Sequence, residues 1–134
     1  MRKRSLAREL ALQMVYQSEF NNEVEIIVPS DFPYNDEEIE RFARELVNGV
    51  KKKKEELDKI IESKAANWEI NRMAVIDKVI LRIATYEILF KPDIPEIVSI
   101  NEAVDLAKKY GSEASGAFVN GILDNIFRSL DKND

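Results

Sequence analysis

The chain has 134 residues, with 20 Lys plus Arg against 25 Asp plus Glu for a net charge of −5, and it contains no Cys and no His. That length fits one domain, residues 1–134, able to bury a core without disulfides; the missing Cys and His exclude thiolate nucleophiles, the commonest general base, and thiolate or imidazole metal sites. No stretch approaches the ~18 apolar residues of a membrane span, and the start lacks the apolar region of a secretory signal, so the expected setting is cytoplasmic, with no membrane and no cofactor.

Gly and Pro, four of each, fall between long segments with a 3.6-residue apolar rhythm, which predicts an all-α fold. A first helix is expected from about Ser5 to Phe20, followed by a connector holding Pro29 and Pro33, with a short extended or helical piece around Ile26 to Val28. A long second helix follows Asn35, whose spacing to Glu38 is that of a capping box, and runs to about Ser63 with a bend allowed near Gly49. Asn67 is placed to cap a short turn around Trp68 to Met73. Next comes the most apolar stretch, AVIDKVILRIATYEILF, ending before Pro92; its one broad polar arc holds Lys78, Arg82 and Thr85, so it should pack on several sides. Ser99 and Glu102 have capping-box spacing for a fourth helix that Gly111 ends, and a fifth runs from about Ser115 to Leu130. The expected architecture is a compact helical bundle around one central apolar helix.

Several residues fit that plan awkwardly. In the first helix Leu6, Leu10 and Met14 make a core stripe, yet Leu12, Tyr16 and Phe20 recur on the opposite half. Either the connector or the second helix covers that second stripe, or it is a partner surface centred on Tyr16. In the central helix Asp77 and Glu87 lie inside the apolar arc. Ten helical residues separate them by about 15 Å, too far for two-carboxylate catalysis. Glu87 reads as a structural acceptor for a buried Arg, Asn or helix N-terminus, while Asp77 in the first turn suits the helix dipole and can reach the surface. Phe118, at the edge of the last helix's apolar arc, is either a core-edge aromatic or a ring on which a base stacks. Asn120, at the other edge, reads as a partner for a neighbouring helix end. Arg2, Lys3, Arg4 and Arg8 form a cluster of one sign with no acid in the first eight residues, so they are either a solvated arm or a contact for a polyanion.

Three stretches together, RSLARELALQMVYQ from Arg4, NRMAVIDKVILRIATYEIL from Asn71 and IPEIVSINEAVDLAKKYGSEASGAFVNGILD from Ile94, resemble the bacterial NusB family of transcription antitermination factors over essentially the whole chain. The resemblance implies a fold of two small helical bundles and no enzymatic activity. It further implies binding, with the ribosomal protein NusE, to boxA-type single-stranded RNA of ribosomal RNA leaders, within an antitermination complex on RNA polymerase. By the same resemblance, Arg2, Lys3, Arg4, Arg8 and Phe118 belong to the RNA face. Leu12, Tyr16, Phe20 and Asp77 belong to the NusE face. A related helical domain precedes the catalytic part of some ribosomal RNA cytosine methyltransferases, but no cofactor-binding domain follows here. A helical adaptor that binds proteins without RNA is the remaining alternative, and it would leave the basic arm inert.

Overall fold

The computed structural model describes residues 2–20, 27–66 and 68–131 and contains five α-helices among them: α1 (Lys3–Ser18), α2 (Glu37–Lys64), α3 (Val75–Phe90), α4 (Glu96–Tyr110) and α5 (Ser115–Asp131), with a 3-10 turn at Ile70–Arg72. Asn67 and Ile26 lie outside the described residues; Ile27 and Val28, the described part of the connector piece expected around Ile26 to Val28, form neither helix nor strand. The cap of α2 is Asp36, one residue beyond Asn35: its Oδ1 accepts from the backbone N–H of Glu38 at 2.8 Å and of Ile39 at 3.2 Å. Glu37, Glu38 and Glu40 add negative charge where the helix dipole favours it. The helix continues through Gly49, whose role is close approach: a Cβ there would lie 2.0 Å from Cζ of Tyr86 on α3.

Helix α3 packs against each of the other four helices, closing one bundle with α1 and α2 and a second with α4 and α5. Val79, Ile80, Leu81, Ile83, Ala84 and Ile88 are all buried, and each fully buried Ile or Leu contributes about 1.5–3 kcal/mol. The polar arc expected on this helix is also covered. Thr85 is fully buried and Arg82 is 3% exposed, because the Arg82 guanidinium reaches Asp58 of α2 twice, at 2.8 and 3.1 Å, and Glu19 beyond α1 at 3.1 Å. Burial works against the Arg82 charge, but the bonds to Asp58 and then Glu19 outweigh it and hold the guanidinium above its ordinary pKa.

A second buried ion pair joins the two bundles. Arg8 of α1 donates to both carboxylate oxygens of Glu87 on α3, at 2.7 and 2.8 Å, and to Glu102 of α4 at 3.2 Å. Ser99 of α4 donates its hydroxyl to the same Glu87 carboxylate at 2.8 Å. Glu87 is therefore the acceptor of a buried Arg, one of the partners its place in the apolar arc calls for. The Ser99–Glu102 spacing read as a capping box belongs to this network instead. Helix α4 begins three residues before Ser99, after Pro95, with no side-chain cap. Both residues project from its first turns onto the pair.

At the end of α2 the chain turns through Ala66, the one non-glycine residue with positive φ, 37°, among the described residues. A Cβ is strained there.

Two stability predictions follow from these features. Glu87→Ala leaves the Arg8 charge buried without its bidentate partner and should remove about 3–5 kcal/mol in urea unfolding, with Glu87→Gln losing less. A melting curve unchanged from wild type would refute the pairing. Ala66→Gly should raise stability by roughly 0.5–1 kcal/mol, the relief of left-handed strain less the added chain entropy of glycine; a lower melting temperature would contradict the strained turn.

Candidate functional site

The start of α1 carries the basic residues, and the fold separates them. Arg2, Lys3 and Arg4 are exposed, whereas Arg8 is 4% exposed and held by Glu87 and Glu102. Arg8 thus leaves the set expected to face a polyanion. Burial opposes its charge, and the bonds to Glu87 and then Glu102 more than compensate, so it stays charged inside the core. One helical turn along, Arg4 overhangs the same face and lies across the Phe42 ring with its guanidinium 4.6 Å from the centroid.

Acids absent from the first eight residues of the chain surround the arm in space. Lys3 Nζ lies 3.1 Å from Asp36 and 3.6 Å from Glu38, and Arg4 lies 3.8 Å from Asp93. The side-chain bond from Lys3, with the backbone N–H of Ile39, holds the Asp36 carboxyl below the usual carboxylate range, and Lys3 is raised in turn. This link is present above the ordinary carboxylate pKa and is lost as pH falls through the lowered value. Such exposed pairs contribute little, so a polyanion can displace them. Arg2 lines a neighbouring cleft with Ser5, Glu9, Glu102, Asp105 and Lys109.

A second surface runs along the other stripe of α1. Leu12 is 1% exposed and belongs to the core, a correction to its place in an interface row. Tyr16 at 37% and Phe20 at 61% remain exposed, their rings edge to face with centroids 5.0 Å apart. Pro29 and Asp31 of the connector meet Tyr16, Gln17, Ile76 and Tyr110 around a groove of about 470 Å³. The described part of the connector therefore walls the groove beside the stripe, and both aromatic rings keep exposed surface.

The third surface is a pocket of about 260 Å³ between α3, α5 and the chain that precedes α3, lined by Trp68, Arg72, Met73, Asp77, Ser112 and Phe118 among others. Asp77 is buried, 8% exposed, and its Oδ1 has no hydrogen-bond partner among the described residues, so it does not reach the surface as its first-turn position allowed. Phe118 is half-buried and meets the Trp68 ring edge to face at 5.7 Å. Asn120 is exposed and, among the described residues, makes no side-chain hydrogen bond to a helix end. Gly111 ends α4 in an extended conformation and admits Ser115, whose hydroxyl would lie 2.4 Å from a Cβ there and instead accepts from the Ser112 N–H at 2.9 Å.

Shared residues connect the three surfaces. Glu9 accepts from the Tyr110 hydroxyl and from Lys109 at 3.0 Å, linking the cleft at Arg2 to the groove at Tyr16. Ile76 and Asp77, adjacent in α3, line the groove and the aromatic pocket. Sequence reasoning placed Trp68 only in a turn. Its exposure, 50%, and its contact with Phe118 depend on the fold, although one large aromatic in the polar stretch NWEINR was a signal.

The family model of NusB matches residues 5–128. The chain belongs to the NusB family. The transcription antitermination protein NusB of Desulfitobacterium hafniense is 44% identical over 136 residues, covering 98% of this chain and 92% of its own length. The solved structure of T. maritima NusB is similar at TM-score 0.83 and 38% identity, over 93% of this chain and 90% of that one. A crystal structure of the antitermination factors NusB and NusE in complex with double-stranded RNA is similar at TM-score 0.82 and 28% identity, over 96% and 98%. This NusB family member is accordingly a transcription antitermination factor and not an enzyme. Among the described residues no helix is long and apolar enough to cross a membrane.

The contrast between Leu12 and Tyr16 is testable by unfolding. Leu12→Ala should cost about 2–5 kcal/mol by opening a cavity, whereas Tyr16→Asp should cost at most about 1 kcal/mol at an exposed site. Equal losses at both positions would place Tyr16 in the core.

Proposed function

We propose that this chain is a single cytoplasmic RNA-binding domain that binds boxA-type single-stranded RNA of ribosomal RNA leaders together with the ribosomal protein NusE, as part of an antitermination complex on RNA polymerase. The observation that carries the reading is the exposed Arg2–Lys3–Arg4 cluster at the start of α1, on a chain that aligns end to end with antitermination factors. Phe118 joins this RNA face as a stacking ring. Tyr16 and Phe20 make the NusE face, with Asp77 at its border. An unpartnered buried carboxylate favours a partner that brings a cation or an N–H donor.

Charge arithmetic bounds what the arm can do. Three cations neutralising phosphates on a single strand contribute about 0.7 each, so about 2 in total, to the slope of log affinity against log salt. That term binds RNA without choosing a sequence, and discrimination must come from base contacts and from NusE. Changing Arg2, Lys3 and Arg4 together to Gln should weaken binding to boxA and unrelated RNA alike and flatten the salt slope by about 2. An unaltered slope in the triple variant would remove the arm from the RNA face. Retained NusE binding with no RNA binding by the wild-type chain would favour the protein-only adaptor.

A further inference from the structure

Trp68 is the only tryptophan in the chain, and half of its surface is open to solvent at the mouth of the pocket that Phe118 lines. The two rings meet at 76°, edge to face, an arrangement that leaves a ring face uncovered. At about 260 Å³ the pocket is smaller than the ~300–1,000 Å³ typical of drug-sized ligands and fits one planar ring system. Its charges are asymmetric. Arg72 is exposed on the lining and has no ion-pair partner among the described residues, while Asp77, nine-tenths buried, carries an oxygen with no hydrogen-bond donor. A phosphate directed inward would meet the Asp77 carboxylate; a phosphate outside would meet Arg72. The polarity therefore favours a nucleotide with its base inward and its backbone at the rim.

We infer that Trp68 and Phe118 form a two-ring platform in which one unpaired base of the bound RNA stacks on the open face of Trp68 and meets Phe118 edge to face, with Arg72 at the flanking phosphate. The inference rests on the RNA reading above and adds to it the feature that selects single strands, because stacking requires an open base face that the interior of a duplex does not present. Continuity with the RNA face through Phe118 commits the pocket to RNA; a side chain of a partner protein is the competing occupant.

The single tryptophan makes the test direct. The full chain is titrated with a fluorescently end-labelled boxA-type single-stranded RNA, and separately with the same strand annealed to its complement, reading label anisotropy for binding and Trp68 emission for stacking. The single strand should quench Trp68 along the same curve as the anisotropy, and the duplex should not. Trp68→Ala should weaken single-strand binding roughly tenfold, within the range for one base stacked on an aromatic ring, while Trp68→Tyr should restore most of it. Binding by anisotropy with unchanged Trp68 emission and a wild-type affinity in Trp68→Ala would overturn the platform and leave the RNA reading standing. Quenching by NusE alone, with none from RNA, would assign the pocket to the protein partner and overturn it as well. No anisotropy change with either RNA would defeat the RNA reading and the platform together.

Discussion

The bidentate pair between Arg8 and Glu87 is the contact on which the rest of the arrangement depends. It joins the first helix of one bundle to the central helix, and through Glu102 and Ser99 it extends to the first helix of the other. Two charges withdrawn from water are tolerated only when hydrogen bonds complete them, and here each Glu87 oxygen and three guanidinium nitrogens are engaged. Because the partners come from three helices, the pair forms only when those helices are in register. A buried pair of this kind adds little net stability over an apolar one, but breaking it is expensive, so it acts mainly against misplacement of α1. The second clamp, Arg82 with Asp58 and Glu19, does the same for α2 and the end of α1 on the other side of α3.

With α1 fixed, its surface charges acquire definite places. Arg4 and Arg8 are four residues apart and share a face, yet one is exposed and paired loosely with Asp93 while the other is enclosed. The difference is depth along the helix. The first turn of α1 projects past the core, and the second turn enters it. The basic arm is in consequence the beginning of a rigid helix, with Phe42 beneath Arg4 and Asp36 beside Lys3. Phosphate contacts made from such a base lose less side-chain and backbone entropy than contacts from a disordered tail. The groove at Tyr16 and the pocket at Phe118 adjoin through Ile76 and Asp77. An RNA strand and a protein partner bound there would contact each other, which is the geometry that lets each raise the affinity of the other.

Five helices, the central position of α3 and the structural role of Glu87 were legible in the sequence, since each rests on local rhythm or on the cost of burying a carboxylate. The misreadings share a cause. Lys78, Arg82 and Thr85 form a polar arc on any helical wheel, and only the fold shows that Asp58 and Glu19 arrive to bury its Arg. Ser99 and Glu102 have the spacing of a cap, and only Arg8 and Glu87, distant in sequence, turn them into side-chain donors and acceptors of the core. Leu12 and Tyr16 are one helical turn apart on one stripe, and nothing local says that the boundary of the core passes between them. Residues whose partners lie far along the chain are outside the reach of periodicity. The RNA and protein partners came from resemblance to a family, and the geometry supplies surfaces of suitable chemistry for them.

The proposed division of labour lies within one basic segment: Arg8 serves the fold, and Arg2, Lys3 and Arg4 are the residues assigned to the RNA. It is tested most directly by the salt dependence of RNA binding in the double variant Arg8→Gln/Glu87→Gln, which removes both fully buried charges together and leaves only Glu102, a quarter exposed to solvent, without its Arg8 contact. The account predicts a slope of log affinity against log salt equal to that of the wild type, because Arg8 releases no counterion when RNA binds. A slope shallower by about 0.7, the signature of one lost phosphate contact, would show that Arg8 leaves Glu87 to meet the RNA and would contradict the account.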